Sequence, residues 1–194
     1  MSFSQSSATN FVPFLARLVL GAVFVIAGWN KLMTEHDFTP AETATLRAAG
    51  VVEADGSTSS APTTPDAEES PAGGVTTRSL HRITVMCQES GLPYAPWLGW
   101  ATMATELVGG GLLIVGLFSR IWGLGLAIVM GFAFYFTSLP VLRTTSPFAL
   151  PPETFLAAAL QLSLLVLAIG VALAGPGGAS LDRAIFGRAK PALD

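Results

Sequence analysis

Apolar residues dominate four stretches of the chain, approximately 11–33, 97–118, 121–139 and 154–174, and polar residues collect between and after them. A helix needs about 20 apolar residues to cross a bilayer, so each stretch predicts a transmembrane helix. In the first, Arg17, Gly21, Phe24, Gly28 and Lys31 recur at spacings of 4, 3, 4 and 3. At about 100° per residue they share one stripe of the helix. Small residues on such a stripe let helices approach closely in lipid, where packing drives association. The second stretch carries a matching face of Gly99, Thr102, Glu106, Gly110 and Leu113, and the third places Gly123, Ala127 and Gly131 at four-residue steps. Ser119–Arg120 reads as a tight connection, which makes the second and third helices antiparallel neighbours. The predicted fold class is an all-α membrane protein, an antiparallel bundle of four transmembrane helices.

The polar positions divide the chain further. Residues 1–33 hold the N-terminus and the first span, 34–96 form a long polar insertion, 97–175 hold spans two to four, and 176–194 form a basic tail. At the start of the insertion, "TPAETATLRAAG" predicts a short helix over 40–49. Thr39 caps it, Pro40 takes its first position, Glu42 completes a capping box and Gly50 stops it. It shows almost no apolar face, which predicts a solvated helix. Residues 53–79 lack aromatics and are rich in Ser, Thr, Pro and acid, so they read as a flexible linker. Over 80–90, Leu80, Ile83 and Cys87 fall at helical spacing, predicting an amphipathic helix, with Tyr94 and Trp97 at headgroup level. After "GPGG", "SLDRAIFGRAK" reads as a short amphipathic C-terminal helix capped by Ser180.

Composition places this pattern in lipid. The chain is 51% hydrophobic and 12% charged, against about 25% charged in an ordinary soluble domain. A net charge of −3 provides no basic surface for nucleic acid. The lone cysteine, Cys87, excludes an internal disulfide, a CxxC pair and a thiolate metal cage. His36 and His81 both lie outside the apolar runs, so no buried histidine pair can hold haem, and no metal site is predicted. The first stretch resembles the core of a signal peptide, but residues 1–16 contain no Lys or Arg, and it reads as a retained span. With both termini on one side, basic residues divide evenly between the faces. The long insertion is discounted because long loops translocate largely regardless of charge. The tail and Arg120 then place both termini in the cytoplasm and the insertion 34–96 outside, in a bacterial or archaeal cytoplasmic membrane.

Glu106 is the most informative residue. It enters span two roughly 12 Å deep at 1.5 Å per residue, where a carboxylate is costly and usually faces a bundle interior, pairs, or lines a pathway. Helical side chains lean toward their own N-terminus, which brings Lys31 and Glu106 toward each other and sends Arg17 to the opposite surface, where it snorkels to phosphates. Glu106 and Lys31 are thus the candidate catalytic pair, and a purely structural ion pair is the alternative. Asn30, Thr102, Tyr135 and Gln161 are candidate substrate-binding residues of a polar pocket in the outer half of the bundle. For Tyr135 the alternative is the aromatic belt, and for Gln161 a hydrogen bond to a neighbouring helix.

"RLVLGAVFVIAGWNKL", "ELVGGGLLIVGLFSRIWGLGLAIVM" and "GPGGASLD", in that order, resemble the DoxX family of four-helix integral membrane proteins. The insertion at 34–79 is outside the resemblance. What the resemblance implies is membrane redox work, as in the small subunit of a thiosulfate:quinone oxidoreductase or accessory subunits of respiratory and oxidant-defence assemblies. The matching motif residues are Arg17, Gly28, Lys31, Glu106, Gly109, Gly110 and Arg120; helix packing is assigned to Arg17, Gly21, Gly28, Gly109, Gly110 and Arg120.

Two functions follow as expectations. One is a quinone-linked oxidoreductase subunit, with no covalently bound cofactor and quinone as the small molecule. The other is a non-catalytic subunit of a larger respiratory or photosynthetic complex, docking through the insertion. Lacking haem ligands, redox cysteines and nucleotide motifs, the chain is disfavoured as an autonomous enzyme. The expected partners are lipid and other membrane or periplasmic subunits. A transporter is weakest, because there is one buried acid, no inverted repeat and no broken helix.

Overall fold

A computed structural model describes residues 11–52, 74–175, 177 and 180–186. Most of the expected linker and the tail residues Arg188 and Lys190 lie outside them. Four helices are long and apolar enough to cross a membrane: α1 (Val12–Met33), α4 (Ala95–Val115), α5 (Ser119–Thr144) and α6 (Pro152–Ala174). Between α1 and α4 lie β1 (Glu35–Phe38), α2 (Pro40–Ala48), β2 (Val75–Arg78) and α3 (His81–Glu89), and α7 (Leu181–Phe186) follows α6. The chain divides into two compact units, one from Ala27 to Ala104 and one from the residues up to Ile26 together with those from Thr105 onward.

The larger unit is built around Leu20 and Phe24 of α1, Leu113 of α4, Leu126 and Ala127 of α5, and Leu164, Ala168 and Val171 of α6. All four spans therefore contribute to one apolar core. Their outward faces carry large apolar side chains such as Ile128 and Val166, as lipid contact requires. The turn between spans two and three falls earlier than expected. Gly116 adopts φ +74 and closes α4, its N–H donating to Leu113 O at 3.1 Å while that of Leu117 donates to Leu112 O at 2.9 Å. Ser119 and Arg120 begin α5 rather than form the turn.

α4 and α5 each contain one π-helical turn, at Thr105–Gly109 and Phe134–Ser138. In α4 three glycines, Gly109 to Gly111, make departure from α geometry cheap. In α5 the cause is Pro140, which has no N–H to donate to Phe136 and so leaves the preceding turn open.

The smaller unit contains a folded cap. β1 and β2 pair antiparallel, Glu35 opposite Arg78 and Phe38 opposite Val75. Residues 75–78, expected within the flexible linker, are thus a strand. Phe38 and Val75 point to the same face and meet Leu46, Val52 and Val85 in a second core. α2 is not a solvated helix as expected: Thr43 and Leu46 are buried. Its sparse apolar face suffices because β1 and α3 cover it. At its start the Thr39 hydroxyl donates to the Glu42 carboxylate at 2.8 Å, and the Thr39 N–H does so at 2.9 Å. That pairing holds the Glu42 carboxyl below its ordinary pKa. Leu80 and Cys87 are fully buried and Ile83 is half-buried, while Tyr94 and Trp97 are exposed at the start of α4. The turn between β2 and α3 is joined to the end of α1 through backbone bonds, Ser79 N–H to Thr34 O at 2.9 Å and Leu80 N–H to Lys31 O at 3.1 Å.

Candidate functional site

Glu106 lies in the π-helical turn of α4 and is 1% exposed. The buried positions of α4 run Gly99, Met103, Glu106 and then Gly109, Gly110 and Leu113. Within the larger unit Glu106, Gly109, Gly110 and Leu113 form one buried face of α4. π turns recur at functional sites.

Glycine sets the packing beside Glu106. A Cβ on Gly110 would lie 2.9 Å from Gly21 O and 3.0 Å from Val25 N, and one on Gly21 would lie 2.6 Å from Gly110 O. α1 and α4 cross there backbone to backbone. Trp122 of α5 covers Gly109, where a Cβ would meet the indole at 2.6 Å. Gly123 brings α5 against Ala168 and Ala172 of α6. At Gly21, Gly109 and Gly110 a side chain would thus collide with a neighbouring helix. Gly28 is buried on the same stripe of α1, within the smaller unit.

The other candidates fall in both units. Gln161 is half-buried, accepting from the Ser138 hydroxyl at 2.5 Å and donating through Nε2 to Thr137 Oγ1 at 3.0 Å. Of its two readings, the helix–helix bond is the one displayed, and it braces the π turn of α5. Tyr135 is 55% exposed and meets Phe136 edge-on at 4.9 Å, an arrangement suited to the aromatic belt. Asn30, Lys31 and Thr102 belong to the smaller unit, whereas Glu106, Tyr135 and Gln161 belong to the larger. Asn30 is exposed, and its carbonyl accepts from Thr34 N–H at 2.8 Å. Lys31 and Thr102 are half-buried.

Arg17 corrects an expectation. Rather than snorkelling to the surface, it is 1% exposed. Its guanidinium lies against the Cα of Gly116, which a side chain there would displace, and interacts electrostatically with Asp182 of α7. Asp182 itself accepts from Phe118 N–H at 2.7 Å and Ser119 N–H at 3.0 Å, capping α5. Phe118 holds φ +51, the left-handed region that non-glycine residues rarely occupy. Arg120 is exposed and lies over Gly175, where a Cβ would stand 2.9 Å from Nε. Asp182 escaped sequence reasoning because its partners lie more than sixty positions away. Only its place in "GPGGASLD" singled out that neighbourhood.

Among the described residues no group of three or more His, Cys, Asp or Glu could hold a metal ion. What the spans and their core define is a helical integral membrane protein with a folded cap outside its apolar segments. The DoxX family model matches residues 72–139, from just before β2 through α3 and α4 to Leu139 of α5. The Glu-x-x-Gly-Gly run and the turn into Ser119–Arg120 fall inside that match, and the likeness to DoxX proteins holds over it. Comparison with curated proteins and with solved structures gives no match.

Proposed function

We propose that this chain is the DoxX-like membrane subunit of a quinone-linked redox system, its four spans forming an antiparallel bundle with both termini cytoplasmic. The observation that carries the reading is Glu106, a carboxyl buried among apolar helices in a π-helical turn. Such groups in membrane spans mark proton and substrate paths. Glu106 holds a proton at its carboxyl and delivers it to an oxygen of a quinone headgroup as that headgroup is reduced. The electrons come from the redox group of a partner subunit. Gln161 and Tyr135 contribute less than the sequence assigns them, since one is engaged between helices and the other faces outward. In membranes from cells expressing the variant, Glu106→Gln should lower quinone-coupled electron transfer at least tenfold while the subunit still assembles. A turnover equal to wild type with normal assembly rules out the proton-carrying role.

The cap favours a second reading, a non-catalytic subunit of a larger membrane complex. A unit with its own strands and core is more than a connection needs, and it presents a shaped surface to an external partner. Co-purification from mild detergent distinguishes the two, because the first predicts bound quinone and the second a bound protein that leaves when the cap is altered.

A further inference from the structure

We infer that α7 is an interfacial anchor, lying on the same membrane that the spans cross and binding anionic phospholipid headgroups. Six residues are too few for a helix to persist in water by itself. Asp182 holds this one in place: its N–H donates to Gly116 O at 3.0 Å, and its carboxylate takes the N–H groups of Phe118 and Ser119. α7 is thereby tied to the turn joining two apolar spans, and it begins seven residues after the last residue of a third, Ala174. Three span ends converge where it sits, which is the boundary of the hydrocarbon layer.

Two features identify the occupant. Leu181 and Ile185 stand four apart on one face of α7 and are 46% and 59% exposed, turned away from the protein. By sequence α7 carries one cation, Arg183, and one acid, Asp182, whose carboxylate is already engaged in the cap. Arg120, exposed at the start of α5, adds a cation at the same end. An aliphatic face and arginines at one end of the spans match acyl chains below and acidic headgroups above. A protein partner would want the aliphatic pair but gives no account of the basic residues.

The test uses the full chain with Cys87→Ala, so that a spin label can be placed at Ile185→Cys. Val166→Cys serves as the acyl-chain reference and Arg47→Cys as the aqueous one. The labelled proteins are reconstituted in phosphatidylcholine vesicles with and without phosphatidylglycerol, and depth is read from collision with oxygen against a water-soluble nickel complex. The label at 185 should lie about 5–10 Å into the headgroup–acyl boundary, deeper when phosphatidylglycerol is present. Asp182→Ala should shift it toward the aqueous reference. Three results would overturn the inference: water accessibility equal to position 47 in both lipids, protection from both collision partners, or a depth indifferent to phosphatidylglycerol. Leu181→Cys repeats the measurement should the first label disturb folding.

Discussion

Gly110 and Gly111 are neighbours with opposite environments. A methyl on Gly110 would press on the backbone oxygen of Gly21 and the backbone nitrogen of Val25, neither of which can rotate away. Gly110→Ala should therefore destabilise the bundle by about 1–3 kcal/mol, seen as a lower unfolding temperature in detergent. Nothing lies within 4 Å of a Cβ on Gly111, so Gly111→Ala should be neutral or stabilise by about 0.5–1 kcal/mol through helix propensity. Equal effects at the two positions would contradict the backbone crossing. At the same scale, Arg17 shows how burial overrides a sequence expectation. Its place at a helix end predicts snorkelling, yet a glycine in the left-handed conformation leaves a recess that its guanidinium fills, and an acid from a distant helix balances its charge.

Among the elements, the cap helices gain their stability from one another. Leu46 is fully buried beneath β1 and α3, and Leu46→Ala should cost about 2–5 kcal/mol. Cys87, the one cysteine in the chain and fully buried, reports the result directly. Its alkylation should accelerate sharply in the variant, relative to the rate in denatured chain. Acid should open the cap as well. Burial, with Arg78 nearby, lowers the His81 pKa below its ordinary 6.5, so the folded cap binds fewer protons there than the unfolded chain. Stability is then fully present above pH 6.5 and declines as pH falls toward the folded value. Glu42 adds to the loss below its ordinary 4.5, because its carboxylate is stabilised by Thr39 in the folded state. Thiol protection of Cys87, normalised to denatured chain, should fall as pH drops below 6.5, and His81→Gln should flatten that first decline.

For the molecule as a whole, the boundary between linker and cap decides how docking is tested. Replacing residues 53–73 with a short flexible linker leaves both strands and the cap core intact. Extending the deletion through Arg78 removes β2, and with it the cover over Phe38. A partner that recognises the cap should remain bound to the first variant and leave the second, as read by mass spectrometry of the co-purified complex. Loss from both would assign recognition to residues 53–73 instead.

The spans, their inward stripes and the burial of Glu106 were legible in the sequence, because lipid imposes a length of apolar run and helical periodicity places residues 17, 21, 24 and 28 on one face. Those are local rules that a linear chain displays. The cap, the π turns and the Asp182 cap were decided by tertiary structure. β1 pairs with a strand starting 37 residues further on, α2 is buried only because other elements close over it, and Asp182 reaches α5 across α6. Contacts of that separation leave no period in the sequence, since their energy depends on surfaces that exist only once the chain has folded.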